Sequence, residues 1–157
     1  MSAERSAATL IVAELRRQVD HQLTAGAATD TKAAGLIAAT FALVALVAPR
    51  VQIDSPVRTA AAVVTFGVVL LTLVELMQAI KPRVKTFSYG PDAKSLKEFV
   101  GEPVEDLEIE MVNVFVNARD ANEAALEDKA ESFILGIKAL IVTVIGLGVM
   151  LAGGAIA

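Results

Sequence analysis

The chain has 157 residues and a formal net charge of −4, with 55% hydrophobic and 20% charged residues. Soluble domains have about 45–50% apolar and about 25% charged residues, so this composition favours a chain that lies in lipid. The lack of cysteine excludes a disulfide scaffold, a thiolate metal site and thiol catalysis, and the acidic balance disfavours a nucleic-acid partner.

Residues 1–32 predict an N-terminal amphipathic helix on the cytoplasmic side of a membrane. They lack the apolar core of a signal peptide. Apolar residues recur at helical spacing opposite charged ones, namely Leu10, Ile11, Val12, Leu15, Val19 and Leu23. Asp30 has the character of an N-cap for the next helix, and Lys32 is placed to reach headgroup phosphates.

Three apolar runs predict three transmembrane helices. Residues 33–48 carry no charge and form, with residues 59–80, a transmembrane hairpin over 33–80. The first run is about 24 Å long as a helix and needs neighbouring interfacial residues to cross a hydrocarbon core of about 30 Å. The third span is predicted over 132–157. A soluble helical bundle is the alternative, although apolar helices this long are uncommon in a small soluble protein.

Residues 81–131 form a polar cytoplasmic segment, a loop followed by a helix. Twelve acidic and four basic residues lie between 92 and 131. From Val104 onward the apolar residues follow steps of three and four, and neither glycine nor proline separates this pattern from the third span. We therefore expect one long helix from about Val104 through most of that span, in an all-α integral membrane protein.

Counting lysine and arginine residues predicts the orientation. The connection from Pro49 to Arg58 has two, whereas the N-terminal segment has four and the segment after the second span has seven. By the positive-inside rule, the N-terminus and residues 81–131 face the cytoplasm and the C-terminus faces outward.

Two of the spans contain a charge. Glu75 lies six residues before Lys81, and Lys138 lies nine residues after Lys129, at a comparable depth. Charges in a span are costly and usually face a partner, a cavity or the interface. The two residues therefore either form an ion pair, within or between subunits, or reach the interface separately.

The remaining polar residues predict neither an enzyme nor a metal site. No nucleotide-binding P-loop, nucleophile elbow or zinc-protease motif is present. His21 is the only histidine and cannot build a typical zinc site alone. Three spans are few for a pore from one chain, so we expect a homo-oligomer, and the small-residue spacing of Gly148 and Ala152 agrees with helix association. Lys32 and Lys129 each precede a span in a Lys-Ala pair, which indicates either two lysines that extend toward the headgroups or an internal repeat.

The segment from Ala28 to Ile37, Ala-Thr-Asp-Thr-Lys-Ala-Ala-Gly-Leu-Ile, resembles the Pycsar transmembrane effectors of bacterial antiphage defence. The resemblance rests on an amphipathic helix that ends in Asp-x-Lys-Ala and is followed at once by a span. Its motif positions are Asp30, Lys32 and Ala33. The second span ending at Lys81-Pro82-Arg83, and the helix with Asn122 and Lys129, extend the similarity over roughly residues 9–155.

The resemblance implies a role in abortive infection at the bacterial inner membrane. A partner nucleotide cyclase would make cyclic CMP or cyclic UMP, and the effector would respond by impairing the membrane. Because the sequence has no β-rich cyclic-nucleotide domain, a ligand site would be built from the cytoplasmic helices and loop.

Basic and aromatic residues could contact such a nucleotide. The candidate phosphate contacts are Arg16, Arg17, Lys81, Arg83, Lys85, Lys94 and Lys97, with Phe87 or Tyr89 to stack the base. Binding of anionic lipid is the alternative role of these cations. No resident cofactor is expected. An oligomeric structural scaffold and a small ion-channel subunit remain the alternative functions.

Overall fold

The computed structural model describes residues 7–51, 53, 55–81 and 104–154. These residues form three helices, α1 (Ala7–Val47), α2 (Pro56–Ile80) and α3 (Val104–Gly154), with a short 3₁₀ turn at Ala48–Arg50. The prediction of an all-α protein is confirmed for this part of the chain. All three helices are long and apolar enough to cross a membrane, which agrees with the three predicted spans.

Helix α1 contains both the predicted amphipathic helix and the first span without a break. Its 41 residues are rich in alanine, the strongest helix former, and extend about 62 Å. The helix ends at Val47 because Pro49 disfavours helical geometry in the residue before it. The guanidinium of Arg50 donates a hydrogen bond to the carbonyl oxygen of Leu46 and so satisfies one free acceptor at this end.

Helix α2 begins three residues before the predicted start at residue 59. The hydroxyl of Ser55 accepts a hydrogen bond from the backbone N–H of Arg58, and Pro56 occupies the first turn. The helix ends at Ile80, where Lys81 leaves helical geometry ahead of Pro82.

Helix α3 confirms the predicted continuity between the polar segment and the third span. It has 51 residues and extends about 77 Å, from the predicted start at Val104. The predicted loop before it falls on residues 82–103, outside the described residues.

The contacts within the chain define two compact units. The polar unit comprises Met1–Ala27 and Pro82–Glu127, as far as they are described. Its core is built by α1 and α3 from Leu15, Val19, Phe115 and Ala118. Of the predicted α1 stripe, Leu15, Val19, Val12 and Leu23 pack in this core, whereas Leu10 and Ile11 are about half exposed.

The apolar unit comprises Ala28–Lys81 and Asp128–Ala157, as far as they are described. Ala33 of α1 packs against Leu76 and Ala79 of α2, and Phe133 of α3 joins this cluster. Many large apolar side chains of the unit point outward, including Val63, Phe66, Met77, Ile145 and Val149. Contiguous apolar surface of this kind marks contact with lipid or with another protein.

Small and hydroxylated residues let the helices of the apolar unit approach closely. A Cβ atom added at Gly136 would lie 2.7 Å from Cδ2 of Leu76, so a larger residue there would force Leu76 or the helices to shift. The buried hydroxyls of Thr72 and Thr143 lie 3.3 Å apart and form a hydrogen bond between α2 and α3. Gly148, predicted to mediate association, contacts nothing within 4 Å at its Cβ position and is exposed in the single chain.

Candidate functional site

A buried ion pair joins the family-motif segment of α1 to α3 inside the apolar unit. Nζ of Lys129 donates a hydrogen bond to Oδ1 of Asp30 at 2.5 Å. The Lys129 side chain is 4% exposed and that of Asp30 is 37% exposed. A deeply buried ammonium needs a counter-charge and hydrogen bonds. The carboxylate of Asp30 supplies both and so stabilises Lys129 in its buried position.

This pair corrects two predictions. Asp30 is not an N-cap, because it lies inside α1, far from the helix start at Ala7, where no free backbone N–H groups are available. Lys129 does not extend toward headgroups, because its side chain is buried against Asp30. Lys32, the other lysine of that prediction, is exposed.

The motif positions divide between the two sides of α1. Asp30 and Ala33 are three residues apart and therefore share one side of the helix. Asp30 contacts Lys129, and Ala33 is fully buried against Leu76 and Ala79. Lys32 lies on the exposed side. Asp30 and Ala33 therefore pack α1 against α3 and α2, whereas the side chain of Lys32 is exposed.

Glu75 and Lys138 line the same groove between α2 and α3 of the apolar unit. This groove, named here the membrane groove, has a volume of about 300 Å³. The other lining residues are apolar: Val68, Leu71, Leu135, Ala139 and Val142. Among the described residues of the unit, no ion pair of 4.0 Å or less joins Glu75 to Lys138. The single chain thus brings the two charges to one groove without direct contact.

A larger groove, named here the polar groove, lies between α1 and α3 of the polar unit. It has a volume of about 660 Å³, within the range of small-molecule sites. Its lining combines two guanidinium groups, two amides, an imidazole and a carboxylate, from Arg17, Gln18, His21, Gln22, Arg119 and Glu123. Such a lining can bind the charge of a small anion and hydrogen-bond its polar edges.

Gln22 is fixed at this groove by a contact across it. Its Nε2 donates a hydrogen bond to the carbonyl oxygen of Arg119 at 3.2 Å. Its Oε1 is buried and has no hydrogen-bond partner within the protein. A buried acceptor without a donor costs free energy, so a ligand N–H or O–H or a water molecule at this position would be stabilised.

Both arginines of the polar groove also contact carboxylates. Arg17 donates to Glu14 at 2.8 Å, and Arg119 donates to Asp120 at 2.7 Å. The hydrogen bonds from Arg17 and then Gln18 lower the pKa of Glu14 to about 2. Because this pKa is lowered, the contact is complete at neutral pH and is lost only as the pH falls through about 2. A bound anion would compete with these carboxylates.

The other candidate phosphate contacts do not line the polar groove. Arg16 is exposed and is not part of the lining, although it is adjacent to Arg17 in the sequence. Lys81 is exposed after the end of α2, in the apolar unit. The remaining candidates lie outside the described residues: Arg83, Lys85, Phe87, Tyr89, Lys94 and Lys97. Among the residues that the structure describes, no group of three His, Asp or Glu could hold a metal ion.

Several residues of these sites were not identified from the sequence. Lys129 was singled out, but not as the partner of Asp30. Buried positions along α3 recur at steps of three and four, at Phe115, Ala118, Asn122 and Ala125 of the polar unit. Continuing the same steps leads to Lys129, so this spacing could have placed its side chain in the interior. No spacing or motif in the sequence marks Arg119 or Glu123 as residues of the polar groove.

Comparison of the sequence with protein families and curated proteins, and of the structure with solved structures, found no match.

Proposed function

We propose that this chain is a membrane effector of antiphage defence that impairs the bacterial inner membrane in response to a cyclic pyrimidine nucleotide. The buried Asp30–Lys129 pair is the observation that carries the proposal. It supports the proposal because the carboxylate of the distinctive motif residue stabilises the buried ammonium of Lys129, a second residue of the resemblance.

The polar groove is the ligand site that fits this proposal best. A cyclic CMP or cyclic UMP molecule carries one negative charge and a base with several hydrogen-bonding groups. Arg17 and Arg119, which line this groove, would bind the phosphate. A small movement of Gln22 would expose its unpartnered Oε1 to an exocyclic amine or an N–H of the base. The charged groups Glu14 and Asp120 would be displaced from the arginines on binding.

The continuity of α1 and α3 supplies a route for the response. Each runs as one helix from the polar unit into the apolar unit. Suppose that α1 and α3 can adopt two spacings at the polar groove, each with its own packing in the membrane. A ligand that binds one spacing more tightly would shift the equilibrium toward that state, and the shift is set by the difference between its two affinities. The effector state would disturb the bilayer or open a path through an oligomer.

We place the N-terminus and residues 81–131 in the cytoplasm and the C-terminus outside, from the distribution of lysine and arginine. In this orientation the polar groove faces the compartment in which a cyclase would release its product. The outward-pointing apolar side chains of the apolar unit, together with Gly148 and Ala152, offer a surface for a homo-oligomer in the membrane.

Binding to the purified protein tests the ligand site directly. Replacing Arg17 or Arg119 by alanine should weaken the binding of cyclic CMP or cyclic UMP about tenfold or more, because a charge-assisted hydrogen bond is lost. Isothermal titration calorimetry in detergent micelles measures this change. Arg16→Ala is the matched control, since it removes a neighbouring arginine that does not line the groove. The affinity of this variant for the nucleotide should equal that of the wild-type chain. Equal losses in all three variants, or no binding of either nucleotide, would reject the site.

Growth experiments separate the effector from the alternative functions. Expression with a pyrimidine nucleotide cyclase should arrest growth and admit a membrane-impermeant dye, whereas expression with a catalytically inactive cyclase should do neither. A structural scaffold would cause no arrest in either strain. A constitutive channel subunit would change the ion tolerance of both strains equally.

A further inference from the structure

The membrane groove has an unusual distribution of charge for a site among membrane-spanning helices. Five apolar residues form most of its lining, and Glu75 and Lys138 supply one charge of each sign. Leu71, Leu135 and Val142 on its rim are about half exposed, so the groove opens to the surroundings of the protein. The groove is therefore accessible from the lipid side of α2 and α3.

The two charges call for a partner that is not supplied by the single chain. Neither group is paired with the other, and at the depth of the spans an uncompensated charge is costly. A partner that offers a negative group to Lys138 and a positive group to Glu75 would compensate both charges at once. An apolar portion must also fill the space between Val68, Ala139 and Val142.

We propose that the membrane groove binds a zwitterionic phospholipid whose headgroup ends in a primary ammonium. The phosphate would accept hydrogen bonds from Lys138, and the ammonium would donate hydrogen bonds to Glu75. The start of an acyl chain would lie against the apolar lining. A volume of about 300 Å³ is at the lower end of ligand clefts, which suits a headgroup with the first carbons of a chain.

Charge complementarity selects this lipid over the other common classes. An anionic lipid without an amine satisfies Lys138 but leaves Glu75 without a counter-charge. A choline headgroup carries the positive charge on a quaternary nitrogen, which has no N–H to donate to a carboxylate. A primary ammonium alone offers both the charge and the hydrogen bonds.

The inference requires only that α2 and α3 lie in a bilayer, and it is independent of nucleotide binding at the polar groove. Loss of nucleotide binding would leave the lipid site intact, and loss of the lipid site would leave the calorimetry at the polar groove unchanged. The two proposals can therefore fail separately.

Native mass spectrometry tests the lipid site. The full chain is incubated in an equimolar mixture of phosphatidylethanolamine, phosphatidylcholine and phosphatidylglycerol, and the lipid retained after detergent removal is measured. We expect phosphatidylethanolamine to be retained about tenfold more than phosphatidylcholine, the ratio that one charge-assisted hydrogen bond supports.

Variants identify the groups that bind. Glu75→Gln should lower the retention of phosphatidylethanolamine to that of phosphatidylcholine, and Lys138→Gln should lower the retention of all three lipids. Lys138→Arg, which keeps the phosphate contact, should preserve selectivity and tests the proposal even if Lys138→Gln fails to fold. Glu131→Gln and Arg50→Gln remove charges of the same kinds away from the groove and should change nothing.

Equal retention of the three lipids by the wild-type chain would overturn the proposal. So would an unchanged preference in Glu75→Gln, since the headgroup ammonium would then contact another group. Retention of phosphatidylglycerol alone would show an anion site at Lys138 and would also overturn it.

Discussion

Replacing Asp30 by alanine should destabilise the protein by about 2–4 kcal/mol, because it removes the carboxylate that is hydrogen-bonded to a buried ammonium. The Lys129 side chain is only 4% exposed, so water reaches its ammonium only through the opening that the shorter side chain leaves. Lys129→Met should cost less, about 1–3 kcal/mol, because the remaining carboxylate of Asp30 is 37% exposed and reaches water. Unfolding followed by circular dichroism in detergent micelles measures both changes.

The double variant Asp30→Ala/Lys129→Met tests the ion pair more directly than either single variant. Because it removes both charges together, it should be more stable than Asp30→Ala alone, even though it carries one more substitution. Asp120→Ala, which breaks the exposed contact with Arg119, serves as the control and should change the stability by less than about 1 kcal/mol. Additive losses in the double variant would show that Asp30 and Lys129 act independently and would contradict the pair.

Gly136→Ala should destabilise the apolar unit by about 1–3 kcal/mol, although alanine is the better helix former. The new Cβ would lie 2.7 Å from Cδ2 and 2.9 Å from Cγ of Leu76, a side chain with no exposed surface. Leu76 or the helices themselves must then move. The same unfolding measurement detects the loss.

Gly67→Ala is the matched control, because it makes the same change in α2, the other helix of this contact, at a position where nothing lies within 4 Å. It should be neutral or stabilise the helix by up to about 1 kcal/mol. Leu76→Ala should itself cost about 2–5 kcal/mol, but it frees the space that Gly136→Ala needs. The double variant should therefore lose less than the sum of the single losses. If Gly136→Ala were as stable as Gly67→Ala, the close packing of α2 on α3 would be wrong.

The helices could be predicted largely from hydrophobic periodicity. The start of α3 at Val104 and its continuity into the third span followed from an unbroken pattern of steps of three and four. The uncharged run that follows Arg58 predicts a start at residue 59, whereas α2 begins at Pro56, with Ser55 as its N-cap. Charged residues mark the end of an apolar run, which is not the end of a helix.

The site could be predicted only in part. The change from polar to apolar sequence after Asp30 predicts a helix start and a local N-cap role for this residue, whereas α1 continues through this point. The partner of Asp30, Lys129, is 99 residues away, and single-sequence spacing carries no information on contacts at that separation. The polar groove likewise depends on which residues of α3 meet Arg17 and Gln22, and this register is set by the packing of Val19 against Phe115 and Ala118.

If α1, α2 and α3 cross a membrane, lipid surrounds their outward-pointing apolar side chains. Because the chain contains no cysteine, single-cysteine variants can be labelled with a membrane-impermeant maleimide in cells and membranes without removing any native thiol. We expect Ile53→Cys, in the connection before α2, to react in intact cells, and Asp106→Cys, near the start of α3, to react only after lysis. Val63→Cys and Ile145→Cys, whose parent side chains are 66% and 61% exposed, should resist labelling until detergent is added. Rapid labelling of Val63→Cys and Ile145→Cys in the absence of detergent would show that water, not lipid, covers these surfaces, and would contradict the account.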